Sequence, residues 1–113
     1  MCGSCANENA MKQVYIAVAN ARRAATGLAG PTAEELESSM VNRSPGAKPY
    51  KIMSFHGAFH GRTHGCLSIT HSKPIHKLDV PAYDWPIAPF PKLVYPLADN
   101  VEANAAEEVS LLF

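Results

Sequence analysis

The stretch Tyr50-Lys51-Ile52-Met53-Ser54-Phe55-His56-Gly57-Ala58-Phe59-His60-Gly61-Arg62-Thr63-His64-Gly65 changes character partway along. Its first six residues have the composition of a strand, and its remainder gathers three histidines, three glycines and one arginine into a turn. A strand that runs straight into a glycine-rich turn puts Arg62 just past the strand end, where ligands collect in open α/β sheets. Glycine lets backbone approach a ligand with no Cβ in the way. Arg62, close to Gly61 and Gly65, can present a planar, permanently charged fork to a carboxylate or phosphate.

Upstream, Met1-Cys2-Gly3-Ser4-Cys5-Ala6-Asn7-Glu8-Asn9-Ala10 sets Gly3 and Ser4 before an alanine-rich segment that reads as helix. Ser4 is expected at the N-cap. The free N–H groups of a first helical turn, the positive end of its dipole and a serine hydroxyl together make an anion site with room for phosphate. An ordinary N-cap without a ligand is the plainer alternative for the same residues.

Ala6, Ala10, Val14, Ala17 and Ala21 recur at three- and four-residue steps, predicting a helix from Cys5 to about Thr26, with Arg22, Arg23 and Gly27 marking its end. Thr32-Ala33-Glu34-Glu35 has the spacing of a capping box and opens a shorter helix through Leu36 and Met40, followed by a turn over residues 42–46. Tyr50 to Phe55 is the expected strand, and Thr63 to about His71 a short helix that Lys73-Pro74 ends or bends. Val80 to Pro96 carries five of the nine prolines, with Trp85 and Phe90, and predicts a long ordered connection. Lys92-Leu93-Val94-Tyr95 could add a short strand, with Asp99 and Glu102 capping a last helix.

Lys+Arg and Asp+Glu each total 10, and the basic residues are scattered, which argues against nucleic acid and anionic membrane surfaces as partners. No apolar run approaches the roughly 20 residues of a membrane span, and residues 1–25 lack the layout of a secretion signal or other targeting segment. At 113 residues and 47% apolar composition the chain is about one domain in size. A motif that begins at Cys2 and a final Leu111-Leu112-Phe113 read as the cut ends of a fragment.

Cys2, Cys5 and Cys66 form no disulfide framework and fit a reducing compartment; Cys2-x-x-Cys5 is the one suggestive pair, read plainly as two reduced thiols. His56-Gly57, His60-Gly61 and His64-Gly65 repeat every four residues, and on a helix the three histidines would share a face at metal-ligand spacing. Glycine weakens a helix by roughly 1 kcal/mol relative to alanine, so three of them argue against that face and its zinc site. Taken singly, Phe59 is as readily a core aromatic and His60 a hydrogen-bonded structural histidine as either is a ligand contact.

Cys-Gly-Ser-Cys-Ala-Asn-Glu-Asn-Ala from Cys2, Gly-Ala-Phe-His-Gly-Arg-Thr from Gly57, Thr-His-Ser-Lys from Thr70 and Asp-Trp-Pro-Ile-Ala-Pro-Phe-Pro from Asp84 carry a resemblance. On these motifs the chain resembles, nearly end to end, an internal segment of the 4-aminobutyrate aminotransferase family, class III, fold-type I pyridoxal-phosphate enzymes. The resemblance implies an α/β fold, with residues 1–113 forming part of the large, cofactor-binding domain. It implies that Gly3 and Ser4 hold the pyridoxal 5'-phosphate phosphate, that Phe59 lies against the cofactor ring, and that His60 stands beside it. Arg62 would pair with the substrate carboxylate and Lys73 would add a second positive charge.

The implied parent reaction converts 4-aminobutyrate and 2-oxoglutarate to succinate semialdehyde and glutamate, in a homodimer of the mitochondrial matrix. In animal-type members the Cys-x-x-Cys pair contributes to a [2Fe-2S] cluster shared across the dimer, which would make Cys2 and Cys5 iron ligands. Lys12, Lys48, Lys51, Lys73, Lys77 and Lys92 all fall outside the family's Schiff-base lysine context, so no catalytic lysine is expected here and the isolated segment is expected to be inactive and at best partly ordered. His56 and His64 receive no role. The rivals are another ω-amino-acid aminotransferase, a small non-enzymatic metal or iron–sulfur module using Cys2, Cys5 and the histidine repeat, and a gene fragment with no independent function.

Overall fold

The computed structural model describes residues 2–111. Helix α1 spans Gly3–Ala25, close to the range that its alanine periodicity predicts. Its end is set by Gly27, whose φ of 77° lets the Gly27 N–H reach the Ala24 carbonyl while Leu28 N–H returns to Arg23. Arg22 and Arg23 sit in the last turn, where the helix dipole favours cations.

Helix α2 spans Ala33–Ser39 and opens with the expected capping box. Thr32 Oγ1 accepts from Glu35 N–H at 3.2 Å, and Glu35 Oε2 accepts from Thr32 N–H at 3.0 Å. The same carboxylate takes Arg23 Nε at 3.0 Å and Lys48 Nζ at 2.9 Å, tying α1, α2 and the following segment together. Those two cations and the Thr32 amide hold the Glu35 carboxyl down at about 2.

Strand β1 is shorter than the expected Tyr50 to Phe55, covering only Ser54–Phe55, and it pairs in parallel with β2, Ile87–Ala88. Ser54 N–H donates to Pro86 C=O at 3.1 Å and His56 N–H to Ala88 C=O at 2.9 Å. A strand exists only where a neighbour takes its backbone groups, and the proline-rich connection supplies one only over this short run. Tyr50 instead stacks on Tyr15 of α1, ring centroids 5.7 Å apart, with the Arg22 guanidinium 5.2 Å from its ring. The two-stranded parallel sheet with its helices agrees with the α/β expectation.

Helix α3 covers His64–Leu67 rather than continuing to His71. Ser68 and Ile69 N–H groups bond three residues back, so the chain tightens and leaves the helix. Pro74 opens a single 3-10 turn, Pro74–His76. The expected strand at Lys92–Tyr95 is absent because a side chain does that work: Val94 N–H donates to Asn104 Oδ1 at 2.8 Å and Asn104 Nδ2 to Val94 C=O at 3.0 Å. Asn104 belongs to helix α4, Val101–Ser110, whose N-cap is Asn100; neither Asp99 nor Glu102 caps it, and Asp99 lies in the 3-10 turn Leu97–Asp99. Leu112 and Phe113 of the apolar ending lie outside the described residues.

Among the described residues the buried apolar side chains are Cys66, Leu67 and Ile69, joined by buried Ser54, Ser68 and Thr70. The packed centre is therefore the turn system around α3, while Val14, Ile16 and Val18 of α1 stay exposed. The radius of gyration is 18.8 Å, against about 13 Å for a closed domain of this length. Among the described residues no helix is long and apolar enough to cross a membrane.

Candidate functional site

Cys2, with extended backbone at φ −101° and ψ 168°, is the N-cap of α1, and it makes no side-chain capping bond. This corrects the expectation for Ser4, which lies inside the first turn. The first intrahelical bond runs from Ala6 N–H to Cys2 C=O at 3.2 Å. The N–H groups of Gly3, Ser4 and Cys5 therefore donate to no backbone carbonyl among the described residues. A Cβ on Gly3 would meet nothing within 4 Å, so the approach to these donors is open.

Ser4 Oγ has a different task from capping. It accepts from Arg62 N–H at 3.3 Å, which joins the two segments that the sequence singles out. Gly61 makes the contact sterically feasible: its φ of 121° is one that other residues avoid, and a Cβ there would overlap Ser4 Oγ and lie 2.7 Å from Ser4 Cβ.

The turn is clamped from two further directions. Asn7 Nδ2, one turn along α1, donates to His60 C=O at 2.8 Å. Thr70, fully buried, accepts from His60 N–H at 3.0 Å and donates to Gly61 C=O at 2.8 Å through a single hydroxyl. The backbone of residues 60–62 is thus fixed, whereas the exposed Arg62 guanidinium makes no hydrogen bond or ion pair among the described residues.

Glu8 completes the clamp from α1. Its Oε1 accepts from Thr63 Oγ1 at 2.6 Å and from Cys66 N–H at 2.8 Å, capping α3 from another helix. A Cβ on Gly65 would come within 2.6 Å of Glu8 Oε2, so any side chain there would push the carboxylate from this position. The Thr63 hydroxyl, more than its other neighbours, holds the Glu8 carboxyl below the usual range. Sequence reasoning missed Asn7, Glu8 and Thr70. The signal for the first two was present: with Ser4 they occupy steps of three and four residues, one polar face on an alanine-rich helix.

The other expected site residues are placed less tightly. Phe59 is 54% exposed and meets His76 edge to face, ring centroids 5.5 Å apart, so it is no core aromatic. Lys73 is exposed and lines a small cavity with His71, Pro74, Lys77 and Leu78. Behind it, His71 bonds Ser54 Oγ through Nε2 at 2.9 Å and Lys77 Nζ through Nδ1 at 3.2 Å. The ammonium can only donate, so Nδ1 accepts and the proton of neutral His71 sits on Nε2. Burial, reinforced by Lys77, pushes the His71 imidazole below its usual range.

The three repeat histidines do not share a helix face, since residues 56–63 are turn and irregular chain and only His64 is helical. No group of three or more metal-binding side chains occurs among the described residues. Cys2 Sγ and Cys5 Sγ do meet, at 3.4 Å. The Cys5 N–H and thiol hold the Cys2 thiol below its usual range, and burial pushes Cys66 up.

The family model described as Aminotransferase class-III matches residues 1–112. The chain is 54% identical to human mitochondrial 4-aminobutyrate aminotransferase over 111 residues, 98% of this chain and 22% of the human protein. Over the same shares it is 56% identical to the Rattus norvegicus protein of that name, and it is 51% identical to 4-aminobutyrate aminotransferase of Emericella nidulans across 96% of this chain and 22% of that protein. The chain therefore spans about a fifth of the length of these relatives. Among solved structures, the crystal structure of a mutant of Rv3290c from M. tuberculosis superposes with a TM-score of 0.58 at 29% identity, over 98% of this chain and 21% of that one.

Proposed function

Because the chain belongs to the class-III aminotransferases, we propose that it is the phosphate-anchoring and carboxylate-reading part of an enzyme that transaminates 4-aminobutyrate with 2-oxoglutarate. The observation that carries this reading is the bond from Arg62 N–H to Ser4 Oγ. It sets a guanidinium with no ion pair among the described residues beside a helix start whose first N–H groups donate to no backbone carbonyl there.

Pyridoxal 5'-phosphate supplies an aldehyde that captures the substrate amine and a ring that withdraws electrons from it. The residues present fit that group. Gly3, Ser4 and Cys5 N–H groups would take the phosphate, with the Ser4 hydroxyl proton as a further donor, since Ser4 Oγ only accepts from Arg62. Phe59 would offer its exposed ring to one face of the cofactor, a packing worth about 0.5–1.5 kcal/mol beyond burial, with His60 beside it. Arg62 would grip the carboxylate of 4-aminobutyrate and later that of 2-oxoglutarate, with Lys73 adding positive charge. Holding one end of an ω-amino acid leaves its amine free to reach the reacting aldehyde.

Cys2 and Cys5 would contribute two thiolates to a [2Fe-2S] cluster completed by a second subunit; a 3.4 Å separation suits two ligands of one metal. The parent would then be a homodimer, and mitochondrial like the relatives so named in human, rat and worm. A free-standing metal module draws on the same two thiols and gains nothing from the histidine repeat.

The test is turnover by the full-length parent. Transfer from 4-aminobutyrate to 2-oxoglutarate is expected to exceed transfer from ornithine or β-alanine, and Arg62→Lys is expected to raise KM for 4-aminobutyrate at least about tenfold, as loss of a bidentate pair implies. Preference for ornithine would assign the chain to another ω-amino-acid aminotransferase. Iron and sulfide analysis of the same preparation tests the cluster.

A further inference from the structure

We propose that Cys2 and Cys5 form a reversible intramolecular disulfide by exchange with a small-molecule disulfide. Cys2 is exposed at the N-cap, and Cys5 follows at the third helical position, where an N-cap side chain folds back over the first turn. Their sulfurs already touch at 3.4 Å, so closing to a bond of about 2.05 Å needs only side-chain rotation. Cys66 is excluded from the exchange: it is 0% exposed, and its S–H donates to Ser4 C=O at 3.4 Å.

The exchange balances with a disulfide such as oxidised glutathione as the oxidant. The Cys2 thiolate attacks one glutathione sulfur, the glutathione S–S bond breaks, and one glutathione thiolate leaves. Cys5 thiolate then attacks Cys2 Sγ, the mixed disulfide breaks, and the second glutathione leaves. Two protein thiols are oxidised, one glutathione disulfide is reduced to two thiols, and the protons are carried on the leaving glutathiones or pass to water. The ring closed is only four residues long, so it constrains the unfolded chain little and reduces readily. The disulfide brackets Gly3 and Ser4 and belongs to the iron-free chain; it does not depend on the aminotransferase reading.

The full chain, reduced and freed of metal with a chelator, would be incubated with oxidised glutathione, quenched in acid, alkylated and mapped by mass spectrometry. The expected product has lost two hydrogens, carries a Cys2–Cys5 bridge with Cys66 alkylated, and returns to three free thiols with dithiothreitol. Cys5→Ser should instead retain one glutathione on Cys2. A stable glutathione adduct on Cys2 of the unchanged chain, a bridge to Cys66 or to a second chain, or three unreacted thiols would each overturn the proposal.

Discussion

Thr63 Oγ1 donates to Glu8 Oε1 at 2.6 Å, a bond that spans fifty-five positions of sequence. The same oxygen takes the Cys66 N–H, so one carboxylate on α1 starts the short helix α3. Four residues hold a helix poorly by themselves; α3 persists because α1 caps it. Replacing Glu8 by Ala leaves the Cys66 amide without an acceptor. Amide hydrogen exchange at Cys66 should speed up by an amount equivalent to about 1–3 kcal/mol, while Glu8→Gln, which keeps an acceptor oxygen, should lose much less.

The Thr70 hydroxyl is both acceptor from His60 N–H and donor to Gly61 C=O, in a fully buried position. Thr70→Val keeps the shape and strands both backbone groups. The His60 amide should become less protected by about 1–3 kcal/mol, with Thr70→Ser close to the native chain; equal protection in the valine and serine variants would show that the hydroxyl is not the clamp.

Gly61→Ala places a methyl where Ser4 Oγ now stands and demands a backbone conformation costing of order 1–3 kcal/mol for a non-glycine residue. The expected outcome is separation of Arg62 N–H from Ser4, seen as loss of exchange protection at the Arg62 amide. Gly3→Ala, with open space around it and no positive φ, should leave that amide unchanged.

Glu35, held at about 2 by Arg23 and Lys48, gives the joint between α1 and α2 a defined pH dependence. Its folded value lies below the ordinary 4.5, so the stabilisation is complete above that value and drains away as pH falls toward about 2. A carboxyl-carbon NMR titration should find Glu35 still ionised well below pH 4.5 and half-titrated only near about 2, and Glu35→Gln should remove the corresponding acid-side slope from the helix signal.

His71 titrates with the same sense. Burial and Lys77 lower it, so the neutral ring is favoured in the fold and the contribution is lost as pH drops below the ordinary histidine value near 6.5. Nitrogen NMR at pH 7 should show a neutral ring protonated at Nε2, facing Ser54.

The alanine periodicity of α1, the Thr32–Glu35 capping box, the Gly27 stop and the glycine turn around Arg62 were all legible in sequence, because each depends on residues within a few positions of one another. Ser4 and Arg62 stood out there only as candidate anchors. Tertiary structure alone decided that these anchors touch, that Ser4 serves Arg62 and leaves the cap to Cys2, and that strand β1 shrinks to the length its partner β2 can pair. It also recruited Asn7, Glu8 and Thr70, whose acceptors and donors lie up to fifty-eight positions away. Local chemistry writes helices, caps and turns into the chain; which buried hydroxyl or carboxylate meets which backbone group depends on distant segments folding together, and no local pattern encodes that.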